Sequence, residues 1–179
     1  MNKRQQVINA ATTLFSEKGF EKTSMNDICL LANVSKGLVY HHFASKNEIL
    51  VEIFQMTTQR MKNMSSSNLN ITPSERLVTL IDTIFTQLEK DKSTFKFNLN
   101  IMFQPSTREL LSSQLKERSD ALFGSIKEVF DQVDGENSTT LSFMFIAELD
   151  GVAIDYLSVF EDYPLEAIKQ KLISKYQSI

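Results

Sequence analysis

Apolar residues recur every three or four positions along most of the chain, and nowhere do they alternate with polar ones over a strand-length run. Val7, Ala10, Ala11, Leu14 and Phe15 share one face of a predicted first helix over residues 2–18, which Gly19 terminates. Met25, Ile28 and Leu31 or Ala32 mark a short second helix that Thr23 or Ser24 can cap. Asn33 suits its end, because Asn tolerates the left-handed backbone found there. Ser35 can cap a third helix, in which Leu38, Val39 and Phe43 pack while Lys36, Tyr40, His41 and His42 are left over. Ser45-Lys46-Asn47-Glu48 reads as a capping box that opens a fourth helix. That helix carries Ile49, Leu50, Ile53, Phe54, Met56, Met61 and Met64, and Ser65 to Asn68 form a polar break after it.

Thr72-Pro73-Ser74-Glu75 has a cap, a proline at the first helical position and an acid at the third, ahead of Leu77, Ile81, Ile84, Phe85 and Leu88. A shorter helix covers Ser93 to Phe103, and Pro105 stops it. Ser106-Thr107-Arg108-Glu109 reads as another capping box. The helix after it carries Leu111, Leu115, Leu122, Ile126, Val129 and Val133 up to Asp134-Gly135. Ser138 to Phe160 is apolar nearly all round, which predicts burial on more than one side. A last helix follows Pro164 with Leu165, Ile168, Leu172, Ile173 and Tyr176. The expectation is an all-α protein of about nine helices, with one domain over residues 1–45 and a second over 46–179.

Composition narrows the class. The 179 residues are 42% hydrophobic, with 13 Phe, 7 Met, no Trp, 5 Gly and 3 Pro, which agrees with a helical core of bulky, adaptable groups. One cysteine excludes an internal disulfide and a cysteine-based zinc site. No apolar run reaches membrane-spanning length, and no signal-peptide core follows Lys3 and Arg4, so the expected location is cytoplasmic, without membrane partners. The net charge of −3 is unevenly spread. Residues 1–62 hold eight Lys and Arg against five acids, and the remainder eleven against seventeen. The basic excess at one end favours a nucleic-acid face there.

Two short helices joined by a tight turn are the arrangement that places a second helix in a DNA major groove. Residues 23–50 also resemble the DNA-binding segment of the TetR-type repressors through Thr23, Ser24, Ile28, Ala32, Val34, Ser35, Lys36, Gly37, Tyr40, His42, Phe43, Ser45, Lys46 and Leu50. Ala10 to Phe20 resemble that family's first helix and its closing turn. Asn33 and Cys29 depart from the usual Gly and Ala, and Leu30 and Leu31 stand where polar residues are common. Lys36, Tyr40, His41 and Lys46 can donate to phosphate oxygens. Gly37 lets the backbone approach the duplex closely. The resemblance implies that Thr23 or Ser24 anchors a phosphate, and that Ser35, Lys36, Gly37, Leu38, Tyr40 and His41 face the groove.

The resemblance further implies a homodimer, an operator DNA partner and a small hydrophobic effector, with no cofactor. Met61, Phe85, Phe97, Asn98, Met102, Phe103, Phe123, Met144 and Glu148 are the expected pocket residues, with Asn100 and Gln104 as further orienting groups, although any helical core collects Phe and Met at such spacing. Ile146 to Val152 resemble the family's penultimate-helix segment, and Ala147, Gly151, Ile154, Ser158, Leu165 and Leu172 are the expected dimer contacts. Adjacent His41 and His42 point about 100° apart on a helix, which disfavours a shared metal. Glu148, Asp150 and Asp155 lack any accompanying nucleophile, metal cluster or glycine-rich phosphate loop, so no catalytic residue is expected. The expected function is a ligand-released repressor. The alternatives are a DNA-organising protein of the same fold without an effector, and an α-helical carrier or enzyme that has lost DNA binding.

Overall fold

A computed structural model describes the backbone of residues 2–65 and 71–179, and the side chains of 2–62 and 71–179. The expected polar break at Ser66 to Asn68 and the Met64 side chain lie outside the described residues. The described residues form ten α-helices and no strand. They are α1 (Lys3–Glu17), α2 (Met25–Ala32), α3 (Lys36–His42), α4 (Lys46–Ser65), α5 (Pro73–Lys90), α6 (Lys92–Phe103), α7 (Pro105–Leu110), α8 (Ser112–Asp131), α9 (Ser138–Ile154) and α10 (Leu165–Gln177). No helix among them is long and apolar enough to cross a membrane. Backbone contacts divide the chain into two compact units, Met1–Met61 with Ser93–Ser113, and Lys62–Lys92 with Gln114–Ile179.

The count exceeds nine because the helix expected over 107–133 is two. Thr107 is buried, and its hydroxyl donates to the carbonyls of Ile101 and Gln104 at 3.0 Å each, so it ties α7 back to α6. The expected capping box at Ser106 to Glu109 does not form. Pro105 instead stands at the start of α7, behind a Gln104 that makes no side-chain cap. The long apolar helix also ends earlier than expected: α9 stops at Ile154 and passes into a π-helical turn, Asp155–Val159.

In the first unit, Val7, Ala11 and Phe15 of α1, Ile28 of α2, Val39 of α3 and Leu50 of α4 are all buried. Each such aliphatic or aromatic side chain contributes on the order of 1.5–3 kcal/mol by leaving water. Gly19 closes α1 at φ 81°, a backbone that favours glycine, and a Cβ there would lie 2.6 Å from Gln104 Nε2. One face of α6 supplies what the end of α1 lacks. The Asn100 amide donates to the Phe15 and Ser16 carbonyls at 3.1 and 3.0 Å, the Ser93 and Ser16 hydroxyls stand 2.9 Å apart, and Phe97 stacks on Phe15. Carbonyls in a last helical turn have no partner in their own helix, so the Asn100 amide replaces water there.

The second unit is built on α5, α8, α9 and α10. The α5 stripe of Leu77, Ile81, Phe85 and Leu88 is fully buried, and its Thr72–Glu75 capping box forms as the sequence indicates. Phe130, Phe145 and Tyr176 meet edge to face, with Phe145 and Tyr176 centroids 4.8 Å apart. Asp82 and Lys169 pair at 2.6 Å, and Ser74 donates to the Tyr176 carbonyl at 2.7 Å, fastening α10 along α5.

Candidate nucleic-acid interface

The interface is assembled by caps and buried anchors. Ser24 caps α2: its hydroxyl accepts from the Asp27 amide at 3.1 Å and donates to the Asp27 carboxylate at 2.6 Å, which also accepts from the Ser24 amide at 2.8 Å. These bonds, the hydroxyl's first, hold the Asp27 carboxyl below its ordinary pKa. Asn33 ends α2 at φ 52°, ψ 53°, the left-handed conformation its side chain tolerates. The Ser35 hydroxyl then accepts from the Leu38 amide at 3.3 Å and starts α3.

Val39 and Phe43 are buried and seat α3 on the core. Their side of the helix faces inward, so Lys36, Gly37, Tyr40 and His41 are left exposed together, with Ser35 beside them and Leu38 half-buried. Lys36 and Tyr40 lie one turn apart, with the ammonium 5.9 Å from the ring centroid. A Cβ on Gly37 would meet nothing within 4 Å, so the surface there is open. His42 packs its ring 6.5 Å from Phe43. No group of three or more His, Cys, Asp or Glu among the described residues could hold a metal ion. Leu30 and Leu31 both project into solvent, so neither belongs to the core.

Two residues expected at phosphate are turned inward. Thr23 is 1% exposed, and its hydroxyl donates to the Gly19 carbonyl at 2.8 Å, so Ser24 is the cap and the exposed hydroxyl. Lys46 points at the α1–α2 connection. Its ammonium donates to the Phe20 and Thr23 carbonyls at 2.7 and 2.8 Å, lies 3.5 Å from the Glu21 carbonyl and sits 4.2 Å over the Phe20 ring. An ammonium has three donors, and this arrangement occupies them. Desolvation lowers the Lys46 pKa.

Arg4 has a structural role that no local sequence pattern announces. Its guanidinium pairs with Glu52 at 2.6 Å and lies 5.0 Å over the Phe43 ring, bracing the end of α3. An arginine in the first turn of an apolar-striped helix carries no local signal of such a partner.

The expected effector residues do not form one set. Phe97 stacks in the first unit's core, and Phe85 lies in the second's. Met102, Phe103 and Met144 are exposed, so none lines an enclosed cavity. Glu148 is engaged by Lys175 and by the Tyr176 hydroxyl at 2.9 Å. Asn100 is committed to α1, and Gln104 covers Gly19. Met61 and Asn98 in the first unit and Phe123 in the second are half-buried, Phe123 lying 4.5 Å from Phe143.

Of the expected dimer contacts, Leu165 is buried within its own chain and is not available to a partner. Leu172 is half-buried. The exposed Ala147 and the half-buried Gly151 and Ile154 follow one stripe of α9 with the exposed Phe143, and Ser158 is exposed in the π-helical turn beyond it.

Residues 7–53 match the family model described as bacterial regulatory proteins, tetR family. That stretch, about a quarter of the chain, is similar to this family. The regulator UidR of Escherichia coli strain K12 is 40% identical over 57 residues, which are 32% of this chain and 29% of UidR. The match thus spans less than a third of that relative. At the level of the fold, a TetR-like transcriptional regulator from Rhodococcus sp. RHA1 superposes with a TM-score of 0.82 at 19% identity, covering 97% of this chain and 93% of its own. The regulator FadR from Bacillus subtilis, solved with stearoyl-CoA, has a TM-score of 0.75 at 21% identity and covers 97% of each chain. The TetR-like fold therefore extends over nearly the whole chain.

Proposed function

We propose that this TetR-type chain is a ligand-responsive transcriptional repressor that binds a near-palindromic operator as a homodimer. The observation that carries the reading is the outward face of α3, where Ser35, Lys36, Gly37, Tyr40 and His41 are exposed together on a helix seated by Val39 and Phe43. Lysine, tyrosine and imidazole donors suit phosphate oxygens, and an open Gly37 suits close approach of a duplex. Residues 1–45 then form the DNA-binding part, and 46–179 the sensing and dimerising part.

The exposed stripe of α9 supports a second copy as partner. Two copies would set their α3 helices in successive major grooves, with centres roughly 34–36 Å apart. A mostly hydrophobic effector would favour a dimer with α3 spaced wrongly for DNA. That is a population shift, and its size is the differential affinity of the effector for the two states. The stearoyl-CoA bound by the Bacillus subtilis fold neighbour supports an effector with a long apolar portion.

The test is selection of bound duplexes from a random pool, followed by footprinting. A symmetric protected site with two half-sites one helical turn apart is expected. Equal affinity for selected and random duplexes would defeat the operator reading. Full-length protein that retains operator at every concentration of a C8–C18 acyl-CoA and fatty-acid panel would defeat the effector reading for that class.

A further inference from the structure

On α9, Phe143, Ala147, Gly151 and Ile154 share one outward face, and Asp150 is the charged residue within that arc. On α10, Ala167, Ser174 and Lys171 share an outward face, and Lys171 is its one charge. Asp150 and Lys171 are both exposed, and among the described residues neither takes part in an ion pair or side-chain hydrogen bond. The other bases of these helices are committed, Lys169 to Asp82 and Lys175 to Glu148, and α9 carries none.

The two charges also stand within about 3 Å of one another along the helix direction. The contacts of Glu148 with Lys175 and Tyr176 fix the pairing of the antiparallel α9 and α10. From there Asp150 lies about 3 Å further along α9, and Lys171 about 6 Å back along α10, in the same direction. Gly151 sits at that level with no neighbouring atom within 4 Å of a Cβ position, leaving room for another helix. We propose that Asp150 of each copy pairs with Lys171 of the other, so that two symmetry-related ion pairs beside Gly151 select the register of the homodimer. The proposal rests on the dimer reading above. A second copy is the occupant the charges favour, because a two-fold interface can bring Asp150 of one copy against Lys171 of the other twice over. Partial desolvation of the carboxyl raises the Asp150 pKa, and a lysine from the second copy is the group that would keep it ionised.

The test uses full-length Asp150→Lys and Lys171→Asp variants, differently tagged. Both positions are exposed, so both variants should keep the wild-type circular dichroism. Each alone should self-associate roughly tenfold or more weakly, because each homodimer then sets like charges together twice. Mixed, they restore both pairs, and native mass spectrometry should show about nine-tenths heterodimer against the roughly one-half of random pairing. Random pairing, or variants that dimerise as tightly as wild type, would overturn the ion pair while leaving the dimer reading intact. Wild-type protein that sediments as a monomer throughout would overturn the dimer reading itself, and the ion pair with it.

Discussion

The Lys46 ammonium stands 4.2 Å above the ring of Phe20 and 2.7 Å from that residue's carbonyl oxygen. It therefore ties the start of α4 to the connection between α1 and α2. Lys46→Met should keep the aliphatic stem and lose these bonds, destabilising the fold by about 1–3 kcal/mol. Its DNA affinity, measured well below the melting temperature, should keep the wild-type dependence on salt. A salt slope about one unit shallower would return Lys46 to the phosphate backbone.

Lys36 and Gly37 provide the contrast. Lys36→Ala should leave stability unchanged and flatten the slope of log affinity against log salt by about 0.9. Gly37→Ala should be neutral or stabilising by up to about 1 kcal/mol, since its Cβ meets nothing in the chain and alanine favours helix. It should nonetheless weaken operator binding if the duplex closes on that surface. Undiminished binding by Gly37→Ala in a fluorescence anisotropy titration would show that no close approach occurs.

The caps and turns of the first 50 residues were legible because each is local: Ser24 with Asp27, Asn33 in the left-handed region, Ser35 ahead of Leu38. The helix stripes were legible for the same reason, as Leu77, Ile81, Phe85 and Leu88 show. What failed was non-local. Lys46 looks like a phosphate ligand until the Phe20 and Thr23 carbonyls are brought beneath it from more than twenty residues away. Thr107 looks like part of a cap, although its hydroxyl is spent on the Ile101 and Gln104 carbonyls. Asn100 looks like an effector group in sequence, yet it serves α1 across 85 residues of chain. Its one available signal is the line Ser93, Phe97 and Asn100 along one face of α6.

That line yields a stability prediction. Asn100→Ala should leave the Phe15 and Ser16 carbonyls without the amide and cost about 1–2 kcal/mol in urea denaturation. Asn100→Asp should be worse, because a carboxylate would face two carbonyl oxygens. An Asp variant as stable as wild type would mean that the side chain turns out to solvent without loss.

The cap of α2 should report in the acid limb. Hydrogen bonds from the Ser24 hydroxyl and amide lower the Asp27 carboxyl pKa in the folded protein. A depressed carboxylate contributes stability above its unfolded value, near 4, and loses it as pH falls through the folded value. Asp27→Asn should therefore lower the urea midpoint at pH 7 and show a smaller difference from wild type at pH 3. Equal differences at the two pH values would remove Asp27 from the acid response.

Gly151 offers the sharpest separation of fold from assembly. Its Cβ position is empty of neighbours within the chain, so Gly151→Leu should preserve the helix content and tertiary packing of the isolated chain. In a dimer built on the α9 stripe the same substitution places a leucine at a close helix crossing. Overpacking there costs about 1–3 kcal/mol, and an isologous interface meets the fault twice. Sedimentation should therefore show weakened association in a chain whose circular dichroism is unchanged. Operator binding should fall with the dimer, because one copy of α3 reaches a single half-site. A Gly151→Leu protein that sediments as a dimer of normal stability would mean that the copies meet through another face.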